Sequence, residues 1–120
     1  MLHVLPVCVY LNGWTADFEP AVNRYDVGGF FQPHQDEFSL TVNILLSDPN
    51  AFTGGGTAFY AQNNAHTKDD TPTIRIEPQQ GTAVVFNGEV WHEGLPVKTG
   101  VRHLYVASFD LIRPTESMRD

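Results

Sequence analysis

The chain has 120 residues, 42% of them apolar and 18% charged, which is enough for one domain with a core. A formal net charge of −7, with only seven Lys and Arg, disfavours nucleic acid as a partner. The single cysteine, Cys8, excludes an intrachain disulfide, and no apolar run approaches the ~20 residues of a transmembrane helix.

In chain order, MLHVLPVCVYL opens the sequence without a basic segment and breaks at Asn12-Gly13, so it reads as a buried strand over Val4–Tyr10 rather than a signal peptide. Trp14–Val22 reads as one or two helical turns. Further strands are predicted at Arg24–Val27, Phe38–Leu46, Thr57–Tyr60, Thr73–Ile76, Thr82–Phe86 and Arg102–Phe109. Ala61–Pro72 is polar and reads as a surface excursion, with His66 solvated, and the charged tail after Leu111 is expected to fray. Short apolar runs separated by Gly, Pro, Asn and Asp predict an all-β sandwich or barrel with minor helix, not βαβ units. There are no internal repeats.

The chemistry starts at FFQPHQDEFS. His34 and Asp36 are two residues apart, so in a strand both project to one side. Taken alone, such a pair is usually an ordinary surface pair. Downstream, His92 follows the apolar strand and the Asn87-Gly88 turn, in EVWHEGLP. Two histidines and one carboxylate form the facial triad of non-haem Fe(II) oxygenases, which leaves open positions on the metal. Zinc is the competing ion, but its sites favour tetrahedral N/S shells and Cys8 is far off in sequence. Arg102 opens a strand that reads as buried and shares a face with Leu104, Val106 and Ser108. A guanidinium aimed into a core is costly unless an anion meets it, and the dicarboxylate 2-oxoglutarate would supply one. The three glycines 54–56 read as a close backbone approach or strand bend, and Glu93 as an exposed carboxylate.

These residues together resemble the Fe(II)/2-oxoglutarate-dependent dioxygenases of the prolyl 4-hydroxylase-like superfamily. Within it, PHQDEFSLTVNILLS, FTGGGTAFY and HEGLPVKTGVR are similar to the catalytic domain of procollagen lysyl hydroxylases, in the same order, over about residues 23–110. The resemblance implies a double-stranded β-helix (jelly roll, cupin-like barrel) forming a single domain over 1–120. It implies that His34, Asp36 and His92 are the catalytic iron ligands and that Arg102 pairs with the distal carboxylate of 2-oxoglutarate. Asn43 and Tyr25 match positions that hydrogen-bond this cosubstrate. The implied cofactors are Fe(II), 2-oxoglutarate, O2 and ascorbate, and the implied partner is a peptide or protein substrate, lysyl before prolyl.

Two points set this chain apart. The segment between Tyr25 and His34 is shorter than in lysyl hydroxylases, and His103 stands where an aromatic is usual, facing away from the metal. Asn43 poses a geometric condition: in one regular strand it would lie opposite Asp36, so Asp36 must precede the strand or a bulge must intervene. A prolyl or small-molecule hydroxylase and a non-catalytic cupin-like module stay open as alternatives. The residues leave compartment and oligomeric state open, although relatives often reside in the endoplasmic reticulum.

Overall fold

The computed structural model describes residues 20–61, 65–67 and 70–110. Ten strands occur in these segments: β1 (Ala21–Tyr25), β2 (Phe31–His34), β3 (Leu40–Leu45), β4 (Phe52–Gly54), β5 (Thr57–Tyr60), β6 (Ile74–Ile76), β7 (Ala83–Asn87), β8 (Trp91–Gly94), β9 (Val97–Gly100) and β10 (Arg102–Phe109). A single 3-10 turn, Pro49–Ala51, is the one helical element among the described residues.

Two four-stranded antiparallel sheets carry the fold, with strand orders β1-β10-β3-β7 and β2-β8-β5-β6, and β4 pairs with β9 as a separate ribbon. In the first sheet the register places Tyr25 opposite Arg102, Asn23 opposite Leu104, Leu104 opposite Leu45, and Val106 opposite Asn43. Directly paired residues share a face, so one apolar and amide-bearing face results. In the second sheet His34 pairs with His92, and His92 with Phe59. One pocket is lined from both sheets, by Asn23, Tyr25, Asn43 and Leu104 on one side and by Phe31, His34, Thr57 and His92 on the other. The two faces therefore look at each other across the site, in a jelly-roll arrangement.

The predicted strands Thr57–Tyr60 and Arg102–Phe109 occur with those bounds. Phe38–Leu46 is trimmed to β3, and Arg24–Val27 is shifted back to β1, leaving Val27 as an isolated bridge to Val97. The strand expected at Val4–Tyr10 lies outside the described residues, as does most of Trp14–Val22; Ala21 and Val22 are extended in β1, not helical. Strands β2, β4, β8 and β9 were not predicted. Each is three or four residues long and interrupted by Pro, Gly, His or Glu, so none shows an apolar alternation.

Candidate metal centre and cosubstrate site

His34 is the last residue of β2, and Asp36 lies just beyond it, ahead of β3. The geometric condition on Asn43 is met in this way. Asp36 is outside the strand, and the alternating burial of β3 puts Thr41, Asn43 and Leu45 on the inner face. The Asp36 loop is tied to the β7–β8 turn: Asp36 N–H donates to Gly88 O at 2.7 Å, and Gln35 Nε2 donates to Glu89 O at 2.7 Å. Gly88 is required there, because a Cβ would stand 1.9 Å from Phe38 O.

His34, Asp36 and His92 converge, with all their ligand atoms within 4.8 Å of one another. His34 Nε2 is 3.3 Å from Asp36 Oδ1, and His92 Nε2 is 3.4 Å from Asp36 Oδ2. Both rings are oriented by the same device. His34 Nδ1 sits 2.6 Å from Gln32 O, and His92 Nδ1 sits 2.7 Å from Val90 O. A carbonyl only accepts, so each Nδ1 carries a proton and each Nε2 is aimed at the Asp36 carboxylate. Nε2 and a carboxylate oxygen this close attract only with a cation between them, whether a proton, as in a hydrogen bond, or a metal ion. Cis ligands about 2.1 Å from one ion lie about 3 Å apart, close to the observed separations.

Burial pushes the Asp36 carboxyl up, but hydrogen bonds with His34, His92 and Thr41, and the field of His92, more than offset it and hold it well below the usual carboxylate range. Thr41 Oγ1 donates to Asp36 Oδ2. Phe86 and Phe59 pack on His92 at centroid distances of 4.7 and 6.2 Å, and Phe31 packs on His34 at 4.2 Å, giving the centre an apolar wall.

Arg102 is 1% exposed, and burial lowers its pKa from the ordinary value. Its Nη1 has no hydrogen-bond partner, and its guanidinium carbon lies 5.2 Å from the Tyr25 ring centroid. It lines a cavity of about 310 Å³ with Leu45, Phe52 and Glu77, and in the first sheet Arg102 and Leu45 pair with Tyr25 and Leu104 of the triad pocket. Asn43 Oδ1, also buried, is the other orphaned side-chain atom among the described residues. An amide flip exchanges Oδ1 and Nδ2, so that position offers a donor as readily. A buried cation and a buried amide without partners are the complement of a carboxylate-bearing ligand. Tyr25 is 7% exposed and belongs to the core with Val97 and Leu104 while also lining the pocket of the triad. His103 alternates with Arg102 on β10 and is on the other side of the strand, as expected.

A profile of the "2OG-Fe(II) oxygenase superfamily" matches residues 20–109. The chain belongs to that superfamily. It is 35% identical over 83 residues to procollagen-lysine,2-oxoglutarate 5-dioxygenase 2 of Homo sapiens and, equally, of Mus musculus; the match covers 66% of this chain and 10% of those proteins. The chain thus spans about a tenth of the curated relatives it matches. In structure it is similar to an oxidoreductase of the 2OG-Fe(II) oxygenase family from Burkholderia pseudomallei, at TM-score 0.56 and 26% identity, over 71% of this chain and 38% of that one. A 2OG-Fe(II) oxygenase implies Fe(II), 2-oxoglutarate and O2, and the donor set here suits them: two imidazoles and a carboxylate for the metal, an orphaned guanidinium and amide for the diacid.

Two residues depart from expectation. Glu93 is buried, 5% exposed, and accepts a 2.6 Å hydrogen bond from Tyr60 Oη. His66 is not solvated: its ring stacks on Tyr60 at 4.3 Å and pairs with Asp70 at 3.3 Å. Tyr60 and Glu93 alternate with Phe59 and His92 along β5 and β8, and His66 packs back on Tyr60. The adjacency of Glu93 to His92 was visible in the sequence, but nothing in it pointed to Tyr60 as the partner.

Proposed function

We propose that the chain is a single-domain Fe(II)- and 2-oxoglutarate-dependent hydroxylase, with its core at about 23–110, acting on an unactivated C–H bond of a peptidyl lysine side chain. The observation that carries the reading is the tautomer-fixed pair His34 and His92, with Asp36 between their Nε2 atoms. In this reading those three residues hold Fe(II), which supplies O2 activation when bound. Asp36 contributes the anionic ligand, and its depressed pKa keeps it ionised at neutral pH. The Gln32 and Val90 carbonyls hold the imidazoles in ligating orientation. Arg102 takes the distal carboxylate of 2-oxoglutarate, and Asn43 and Tyr25 hydrogen-bond the cosubstrate. Phe59 and Phe86 keep water from the His92 side of the centre. Ascorbate serves as auxiliary reductant.

The lysyl assignment is supported by the 35% identity to procollagen-lysine dioxygenases and by the net charge of −7, which attracts a cationic peptide. The test is succinate release from 2-oxoglutarate with Fe(II), alongside mass spectrometry of candidate peptides. A Lys-containing peptide should stimulate turnover and gain one oxygen on the Lys side chain, whereas a Pro peptide lacking Lys should do neither. Stimulation by the proline peptide alone would sink the lysyl assignment and leave the oxygenase reading standing. Absence of succinate under all conditions would sink both.

A further inference from the structure

Residues 54–56 are three consecutive glycines, all with positive φ; Gly54 ends β4, Gly56 precedes β5, and Gly55 between them lies against the Arg102 side chain. Gly55 is the middle one and is buried, with φ +69°. A Cβ built on it would meet Arg102 Cδ at 3.0 Å, whereas its other neighbours, Phe52 Cε2 and Val97 Cγ2, lie at ordinary contact distances of 3.5 and 3.6 Å. The backbone at Gly55 is anchored, because its N–H donates to Pro96 O at 2.9 Å. Arg102 is 1% exposed with its guanidinium over the Tyr25 ring and lines the cavity of about 310 Å³, so yielding to a Cβ would move the guanidinium from its place over that ring. Any side chain at Gly55 would therefore push on the stem of a buried arginine whose Nη1 has no hydrogen-bond partner.

We propose that Gly55 is a positioning residue for Arg102: by withholding a side chain, it sets where the guanidinium is presented to a dicarboxylate. The proposal rests on the reading of Arg102 as the partner of the 2-oxoglutarate carboxylate. It assigns the glycine run a role in cosubstrate affinity and not only in strand bending. Gly81 supplies the internal control. Its φ is +79°, but nothing lies within 4 Å of a Cβ built there. Gly81→Ala thus imposes the same kind of backbone strain without touching the arginine.

The test compares Gly55→Ala, Gly81→Ala, Arg102→Ala and the double variant Gly55→Ala/Arg102→Ala in the full chain. The readouts are calorimetric Kd values for Mn(II) and for 2-oxoglutarate on the Mn(II)-loaded protein, together with Tm. Gly55→Ala should weaken 2-oxoglutarate at least about fivefold while leaving Mn(II) affinity within about twofold. Gly81→Ala should change neither affinity. The double variant should bind 2-oxoglutarate no more weakly than Arg102→Ala alone, since the two changes act through one side chain. Its loss of Tm should be smaller than the sum of the single losses, because truncating Arg102 relieves the clash. If Gly55→Ala does not fold, recovery of folding in the double variant supports the proposal, and failure to recover overturns it. A parent-like 2-oxoglutarate Kd for Gly55→Ala, with a weakened one for Arg102→Ala, overturns the positioning role alone. An unchanged Kd for Arg102→Ala overturns the arginine assignment and the proposal with it.

Discussion

Tyr60 Oη donates a 2.6 Å hydrogen bond to Glu93 Oε1, and both side chains are buried on the strand pair that carries His92. Tyr60→Phe leaves the buried carboxylate short of a donor, which costs about 1–3 kcal/mol. Urea titration should show that loss. Burial, then the hydrogen bond and charge of Glu93, raise the Tyr60 pKa above its ordinary 10.0. A raised folded pKa means the stabilisation is complete below about pH 10 and is lost as pH climbs toward the folded value. The parent should therefore lose stability above about pH 10 with a steeper slope than Tyr60→Phe.

The triad should bind a divalent ion and be stabilised by it. At a free ion concentration 100 times Kd the gain is about 2.7 kcal/mol, so Mn(II) should raise the Tm of the parent by several degrees. His34→Ala, His92→Ala and Asp36→Ala should each abolish this shift and succinate formation. Parent-like metal response in all three would remove the triad from the site.

Arg102 should show opposite effects on function and stability. Arg102→Met exchanges a buried charge with no hydrogen-bonded anion for an apolar side chain, so the ligand-free protein should be as stable as the parent or more so. The same change should raise the KM for 2-oxoglutarate at least about tenfold, since losing one side of a buried charge pair costs ~2–5 kcal/mol. A variant with lower Tm and unchanged KM would place the carboxylate elsewhere.

The Asp36 pKa, depressed in the fold, has its own pH signature. Its contribution to metal-free stability is fully present above the ordinary carboxylate value of 3.8 and is lost as pH falls below it. Asp36→Asn should flatten that acid limb, as read by melting temperature between about pH 5 and pH 2.

Gly88 holds the Asp36 loop where the β7–β8 turn crosses it. With a Cβ placed 1.9 Å from Phe38 O, Gly88→Ala must displace that crossing and the Asp36 N–H bond to Gly88 O. The expected result is a loss of both stability and Mn(II) affinity, measured by melting and calorimetry. Gly81→Ala, with open space around it, should leave Mn(II) affinity unchanged.

The donor types and their order along the chain were legible without coordinates: an imidazole and a carboxylate two residues apart, a second imidazole, and an arginine opening a long apolar strand. Strand β10 was legible too, because its mostly apolar, β-branched and aromatic run from Leu104 to Phe109 needs no partner to be recognised. Alternation says which side of a strand a residue occupies, but not which strand will cover that side. The pairing of β2 with β8 sets His34 beside His92, and the close of β5 on β8 buries Glu93 under Tyr60; both are long-range registers invisible to local pattern. Folding also turned the Gln32 and Val90 carbonyls onto the histidine rings and left the Arg102 Nη1 without a hydrogen-bond partner. Hydrogen bonds and desolvation depend on what surrounds an atom in space, and only the assembled sheets supply those surroundings.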